Sequence, residues 1–347
     1  MNSKFLALPE EIRARVYNYL FYSRADAPST AAELEYNARN TPGEAEDYYR
    51  VAYELRPLTD HALSLAKTNR QIQDELAEEQ RLIYRRGLQY DLDLKLLQNG
   101  SVWPTWTVLP FIIDRVTELR ATFRIVHVLE FVKKPASVRH GLFMGGDGGP
   151  PAYIWVLYEV LKTFLQQGPQ APMQEAGEHR GLVVDKLAIN VELPTEPNSF
   201  PLFESSATDF WSSQTISSLH RRLHIDDDQM EDGEKAATQL ADLVSRKIEG
   251  LLKLDYYRFS FGKFLYEKIG AILIQVAGKA YQEFDLTSLL SRMPLDGFFG
   301  SSLREERRLN MARWIAAAEE RRKEVHMPVL ARPAYQQKFL DDVGITS

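Results

Sequence analysis

The strongest limit on the fold comes from the order in which helix-type and strand-type hydrophobic patterns follow one another along the chain. Apolar residues at intervals of three or four positions predict helices, and apolar residues at alternate positions predict strands. Helices are predicted for residues 5–23, 59–84, 153–165, 234–254 and 303–325. Strands are predicted for residues 88–94, 116–126 and 182–193, and a hairpin for residues 269–286. This order indicates an α+β fold with a mixed, mostly antiparallel sheet.

The same patterns divide the chain into three parts. Residues 1–86 form a helical module with a long internal loop at residues 24–58, where Ala, Glu, Asn, Thr and Pro follow one another with little periodicity. Residues 87–326 form an α+β domain, which we interpret as an interaction domain. Residues 327–347 form a tail that we expect to be loosely held.

The composition predicts a folded chain that does not attract nucleic acid. Hydrophobic residues make up 44% of the 347 residues, which is enough apolar material to bury a sizeable core. The formal net charge of -6 at pH 7 has the wrong sign for attracting polyanions. We therefore expect protein partners rather than nucleic acid.

The sequence contains no cysteine, which excludes disulfides, cysteine-based zinc sites, thiol nucleophiles and iron–sulfur clusters. Because secreted proteins often use disulfides, this absence favours a cytoplasmic or nuclear location. Residues 1–8 have no apolar run of signal-peptide length. The most apolar stretch, residues 269–277, is far shorter than the ~20 residues that span a bilayer, so we expect no membrane segment.

Two histidines are the best metal candidates in the chain, and they are weak ones. His220 and His224 are four positions apart, so on a helix they would share a face, and the acidic run at residues 226–228 could add a carboxylate. A metalloprotease helix needs a glutamate after its first histidine, where this chain has Arg221. A solvated polar segment is the favoured interpretation.

Other candidate motifs lack the residues that their chemistry requires. The acidic run fails the calcium-loop pattern because Met230 stands at its fifth position. The glycine-rich segment at residues 145–149 lacks both the Lys-Ser/Thr and the G-x-G-x-x-G spacing of phosphate-binding loops. The sequence also has no G-x-S-x-G elbow. We therefore expect neither a catalytic site nor a cofactor.

The first predicted helix carries a continuous apolar stripe. Pro9 suits a first helical turn, and Glu10 and Glu11 place negative charge at the positive end of the helix dipole. The stripe consists of Leu8, Ile12, Val16 and Leu20, with Tyr19 beside them. Arg13 and Asn18 belong to the opposite, polar side in this interpretation.

Two segments together resemble an F-box. The segment from Phe5 to Leu20 contains Leu-Pro-Glu-Glu-Ile followed by Val-Tyr and Tyr-Leu, and it resembles the opening of that motif. Its Ile-Arg and Val-Tyr form is similar to the F-box-like proteins that are common in filamentous fungi. Those proteins often carry a second block, Leu-x-x-Thr/Cys-x-Arg-Gln-Ile-x-x-Glu, which residues 65–75 match. An ordinary F-box has a brief linker between its helices, whereas about 35 residues intervene here.

The resemblance implies docking to a Skp-type adaptor of a cullin-based ubiquitin ligase, with the rest of the chain presenting a substrate. An apolar helix face can anchor in a partner's groove. The implied partner-binding residues are Leu8, Pro9, Ile12, Val16, Tyr19 and Leu20. Two alternatives remain open. The stripe could pack on this chain's own core, as in a scaffold with no ligase connection, or a hidden pocket could make the chain a hydrolase-type enzyme.

Overall fold

The structure is a computed structural model. It describes most residues of the predicted helical module and of the predicted α+β domain. It describes residues 4–25, 27, 39–40, 51, 53–54, 61–97, 102–126, 152–169, 181–195, 232–254, 259–295 and 304–344. Its helices are α1 (Glu10–Phe21), α2 (His61–Ala66), α3 (Arg70–Arg86), α4 (Ala152–Gln167), α5 (Asp232–Leu252), α6 (Phe259–Lys268), α7 (Leu286–Ser291), α8 (Arg304–Glu324) and α9 (Ala334–Asp342). Its strands are β1 (Arg39–Asn40), β2 (Tyr53–Glu54), β3 (Gln89–Leu96), β4 (Val102–Val108), β5 (Arg115–Ile125), β6 (Val183–Val191), β7 (Ile269–Val276) and β8 (Lys279–Asp285).

A mixed six-stranded sheet with the order β4-β3-β5-β6-β7-β8 forms the centre of the α+β fold. The pairs β3–β5, β5–β6 and β6–β7 are parallel, and only the pairs at the two edges are antiparallel. The prediction of a mostly antiparallel sheet was therefore wrong for the described strands. Helix α4 lies between β5 and β6 in the chain, and α5 and α6 lie between β6 and β7. Such helical crossovers return the chain in the same direction, which makes the strands that they join parallel.

One face of this sheet is apolar and the other is polar. Along β5, Leu119, Ala121 and Phe123 are buried, whereas the alternating Arg120 is exposed and Thr122 is only partly buried. Crossovers between parallel strands are right-handed in nearly all proteins, and both crossovers here move the chain in the same direction across the sheet. The helices that they contain consequently lie on a single face, which is the apolar one.

The second predicted helix is divided into α2 and α3. The chain leaves the helical conformation at Lys67 and Thr68, and Asn69 then caps α3 by accepting a hydrogen bond of 2.8 Å from the backbone N–H of Gln71. Asparagine is a preferred N-cap because its side-chain oxygen satisfies a helix N–H that would otherwise lack an acceptor. Thr59, the first residue of the predicted helix, lies outside the described residues.

The predicted loop at residues 24–58 contains segments that pack against the body of the protein. The antiparallel strands β1 and β2 pair with each other, and Val51 forms a parallel bridge with Val102 of β4. Tyr53 is buried, and its ring meets the ring of Phe164 edge-on at 6.1 Å between centroids. The N–H of Ala25 donates to the carbonyl of Thr107 at 2.8 Å. These contacts attach the N-terminal module to the β4 edge of the sheet.

The segment that follows α8 is folded onto the body, so the expectation of a loosely held tail was wrong for residues 327–344. Leu340 on α9 is buried, and the side-chain amide of Gln336 donates to the carbonyl of Met293 at 2.9 Å. Arg332 forms a paired ion bridge with Glu319 of α8. Buried apolar and charged contacts, rather than chain position, decide whether a terminal segment is ordered.

Candidate docking site on the first helix

Helix α1 begins directly after Pro9, the residue that the sequence places at the first helical turn. The carbonyl of Pro9 accepts hydrogen bonds of 3.1 Å from the N–H groups of Ile12 and Arg13. Because proline has no N–H of its own, it adds no unsatisfied donor at this end of the helix. Glu10 and Glu11 occupy the first turn, where the helix dipole favours negative charge.

The face of α1 that packs against the protein consists of residues four positions apart: Arg13, Tyr17 and Phe21. The ring of Tyr17 meets that of Phe5 edge-on at 5.8 Å, and the ring of Phe21 meets that of Phe111 edge-on at 5.7 Å. Such aromatic pairs stabilise packing beyond the area that they bury. The sequence predicts Arg13 on the polar side, but in the structure it belongs to the packed face.

The predicted apolar stripe lies away from this packed face. The exposed fractions are 38% for Leu8, 41% for Ile12 and 80% for Tyr19, which are high values for large apolar residues. Pro9 is also exposed, and Val16 and Leu20 are half-buried. All six predicted partner-binding residues therefore lie wholly or partly at the surface. The alternative in which the stripe packs on the chain's own core does not hold for Leu8, Ile12 and Tyr19.

An ion pair joins the two segments that carry the sequence resemblance. The guanidinium of Arg13 donates from Nε to Oε2 of Glu75 at 2.8 Å and from Nη2 to Oε1. The same carboxylate accepts hydrogen bonds from the hydroxyl of Tyr17 at 2.8 Å and from the amide of Gln71 at 2.9 Å. One turn further along, the amide of Asn18 contacts Glu79 at 3.3 Å. Glu75 on α3 is thus bound by two side chains of α1.

The sequence alone did not reveal this pairing. Arg13 and Glu75 are 62 positions apart, and an arginine beside an isoleucine on an amphipathic helix ordinarily lies in solvent. The only sequence feature that pointed to it was the occurrence of both F-box-like segments in one chain, because Arg13 belongs to the first segment and Glu75 to the second. A charged side chain is buried only where it is paired, so the burial of Arg13 depends on Glu75.

The environment changes the pKa values of the groups in this cluster. The hydrogen bond from Arg13 is the largest cause that lowers the pKa of Glu75 from 4.5 to about 2. Burial, followed by the hydrogen bond to Glu75, raises the pKa of Tyr17 to about 12. The hydrogen bond to Glu75 also raises the pKa of Arg13. The carboxylate is therefore charged, and the phenol neutral, throughout the physiological pH range.

The lowered pKa of Glu75 makes the contact between α1 and α3 sensitive to acid. Below pH 4.5 the unfolded chain takes up a proton at this carboxyl, while the folded chain resists protonation until about pH 2. The stabilisation from Glu75 is therefore complete above pH 4.5 and is lost as the pH falls toward 2. We expect Glu75→Gln to destabilise the chain by about 2 kcal/mol at pH 6.

The difference in unfolding free energy between the variant and the wild type should disappear at about pH 2, because a protonated Glu75 resembles glutamine. Urea unfolding of both proteins, followed by circular dichroism at pH 6, 4 and 2.5, measures the difference. A gap of the same size at all three pH values would contradict the assignment. Glu78→Gln, on the solvent side of α3, serves as the control and should show no such pH dependence.

No metal-binding cluster occurs in the part of the chain that the structure describes. His220, His224 and the glycine-rich segment at residues 145–149 lie outside the described residues. Among the described residues, no group of three or more His, Asp or Glu side chains could hold a metal ion. A cavity of about 20 Å³, room for roughly one water molecule, lies between α4, α5, α6 and β7. Its lining contains neither a carboxylate nor a histidine.

The described helices and the comparisons with known proteins add two findings. Within the described ranges, no helix has both the length and the apolar character needed to cross a membrane. The chain has no match among protein-family models, curated proteins or solved structures.

Proposed function

We propose that this chain is a non-enzymatic, F-box-like adaptor protein that recruits other proteins. Its first helix docks on a Skp-type adaptor of a cullin-based ubiquitin ligase, and its α+β domain holds the substrate. The protein acts in the cytoplasm or the nucleus, without a cofactor. The observation that carries the proposal is the apolar face of α1, which points away from the protein while the opposite face is anchored.

The geometry of α1 suits a helix that anchors in a partner's groove. Leu8 and Pro9 stand at its N-terminal end, Ile12 is one turn further on, and Tyr19 extends the apolar surface toward the C-terminal end. Binding energy at such interfaces is concentrated in a few large apolar and aromatic side chains. Exposed apolar side chains grouped on one helix face are typical of an interaction site rather than of an ordinary solvent-facing helix.

The position of the second segment also supports the proposal. Residues 65–75 run from α2 into α3, and α1 packs against both of these helices. The resemblance to an F-box is based on these same two segments. Although residues 21–64 separate them in the sequence, the ion pair between Arg13 and Glu75 brings them into direct contact.

A binding experiment with a purified Skp-type adaptor tests the proposal. We expect the full-length wild type to bind the adaptor with measurable affinity in calorimetric titration. The Leu8→Ala/Pro9→Ala double variant should bind at least about thirtyfold more weakly, because truncating interface hot spots costs roughly 2 kcal/mol or more. Both substituted side chains are exposed, so the variant should keep the wild-type fold.

The control is Tyr335→Ala, which removes an exposed aromatic side chain from α9 at the other end of the sequence. This variant should bind the adaptor as tightly as the wild type. Equal affinities for the wild type and the Leu8/Pro9 double variant would refute docking through α1. The absence of any binding by the wild type would refute the link to the ligase altogether.

A further inference from the structure

We propose that Arg13 and Glu75 are positioning residues for docking, because they hold the turn that presents Leu8 and Pro9. The inference rests on the proposed docking function and extends it to two residues that belong to the packed side of the module. Neither residue is part of the exposed apolar stripe, so a simple contact model of docking assigns them no role.

Arg13 uses all three nitrogens of its guanidinium to connect three parts of the module. Nε and Nη2 donate to Glu75 on α3, as described above. Nη1 donates to the carbonyl oxygen of Leu8 and lies 3.5 Å from that of Leu6. The N–H of Leu8 in turn donates to the carbonyl of Phe5 at 3.1 Å, which closes the turn before the helix. The backbone of Leu8 is thus fixed to α3 through a single side chain.

Glu75 determines where the guanidinium of Arg13 can lie. Its carboxylate is itself held by Tyr17 and Gln71, so it offers Arg13 a fixed, two-pronged acceptor. A planar guanidinium bound in this way has little rotational freedom, and its remaining nitrogen points in a defined direction. In this structure that direction is toward the carbonyl of Leu8.

Such an arrangement favours docking because it lowers the entropy that binding must remove. A turn that is already held in one conformation loses less freedom when a partner closes over it. Recognition residues act best when neighbouring hydrogen bonds lock them in place. If Arg13 were released, Leu8 and Pro9 would still be present, but the partner would have to order them itself.

Two conservative substitutions distinguish a role in positioning Leu8 and Pro9 from a role in the stability of the whole fold. Lysine at position 13 keeps the positive charge, but a single ammonium group cannot bridge Glu75 and the carbonyl of Leu8 as the guanidinium does. Glutamine at position 75 keeps the shape and removes the charge. We expect Arg13→Lys and Glu75→Gln each to bind the purified Skp-type adaptor roughly tenfold more weakly than the wild type. The titrations are made on full-length proteins at a temperature where circular dichroism shows every variant to be folded.

Two reference variants accompany this experiment. Glu78→Gln removes a carboxylate from the same helix where it pairs with Arg81 in solvent, and it should retain wild-type affinity. Leu8→Ala should weaken binding, because it removes a direct anchor. A purely structural role of the ion pair would lower the unfolding midpoint but leave the affinity of the folded protein unchanged.

Hydrogen exchange at the backbone N–H of Leu8 supplies a readout that needs no partner. In the free wild-type protein this N–H is bonded to Phe5, and the turn is held by Arg13. We expect it to exchange roughly tenfold faster in Glu75→Gln, because the turn then opens more often. Its exchange in Glu78→Gln should match the wild type.

The possible results distinguish this inference from the function on which it rests. If Leu8→Ala weakens binding while Arg13→Lys and Glu75→Gln do not, the docking function stands and the positioning role is wrong. If affinity falls but the exchange of Leu8 is unchanged, the pair does not act by holding the turn, and the inference is overturned. If the wild type does not bind the adaptor, both the proposed function and the inference fall.

Discussion

Replacement of Arg322 by methionine is expected to destabilise the folded protein by roughly 3–5 kcal/mol. Arg322 on α8 is completely buried, with an exposed fraction of 0%. Its guanidinium donates to the carbonyls of Tyr266 at 2.6 Å and Ile269 at 3.1 Å, and to the hydroxyl of Thr287 at 2.7 Å. Its Nε donates to the carbonyl of Pro328 at 3.1 Å. One side chain therefore connects α6, β7, α7 and the segment that follows α8.

The expected loss is large because one buried guanidinium supplies hydrogen bonds to several acceptors at once. The carbonyl of Tyr266 is among the last four of α6, which lack a partner within the helix. Methionine fills much of the same volume but cannot donate a hydrogen bond to any of these acceptors. Burial lowers the pKa of Arg322, although the charges of Asp285 and Glu319 act in the opposite direction. Arginine remains protonated at neutral pH under such conditions.

Urea unfolding followed by circular dichroism at pH 7 measures this effect. The matched control is Lys323→Met, at the next position of α8, where the ammonium lies at the surface and pairs with Glu320. This control should change the free energy of unfolding by less than about 0.5 kcal/mol. If Arg322→Met and Lys323→Met had equal unfolding free energies, the four hydrogen bonds of Arg322 would not be a major source of stability.

Hydrophobic periodicity predicted the type of most long elements but not the direction of the strands. The patterns at residues 88–94, 116–126 and 182–193 correspond to β3, β5 and β6, and the hairpin at residues 269–286 corresponds to β7 and β8. Side chains alternate in the same way in parallel and antiparallel strands, so the pattern alone cannot distinguish the two. The helices predicted between these strands did indicate their direction, because two strands joined by a helix are usually parallel.

The elements that the sequence did not reveal are short or irregular in composition. Strand β4 contains Pro104 between two tryptophans, and this interrupts the expected alternation. Proline occurs in sheets mainly on edge strands, and β4 is indeed an edge strand. Helices α6, α7 and α9 have 10, 6 and 9 residues, too few for a clear periodic signal.

At the candidate site, the sequence indicated the helix and its apolar stripe but not the orientation of the helix. Amphipathic helices usually turn their apolar stripe inward, and here Tyr17 and Phe21 face inward instead, together with Arg13. That choice depends on Glu75, which is distant in the sequence and becomes a neighbour only in the fold. Long-range charge pairing is therefore the physical reason why the orientation could not be predicted from local pattern.

The second large effect is expected at the ion pair that fastens the segment after α8. Arg332 donates to Glu319 from Nε at 2.7 Å and from Nη2 at 2.6 Å, and the two side chains are only 4% and 6% exposed. We expect Glu319→Gln to destabilise the protein by about 3–5 kcal/mol, because it leaves the charge of Arg332 buried without a counter-ion. Glu320→Gln, at the exposed neighbouring position, should change the free energy of unfolding by less than about 0.5 kcal/mol.

The double variant Glu319→Leu/Arg332→Met provides the sharper test of the physical argument. Burying two charges costs desolvation energy that their attraction only partly offsets, so an apolar pair of similar volume is often as stable as the ion pair. Among the described residues, Nη1 of Arg332 finds no hydrogen-bond acceptor, which adds to the cost of the native arrangement. We therefore expect the double variant to recover most of the stability that Glu319→Gln loses in urea unfolding. A double variant as unstable as Glu319→Gln would show instead that the ion pair itself, rather than the avoidance of an uncompensated charge, holds this segment on the protein.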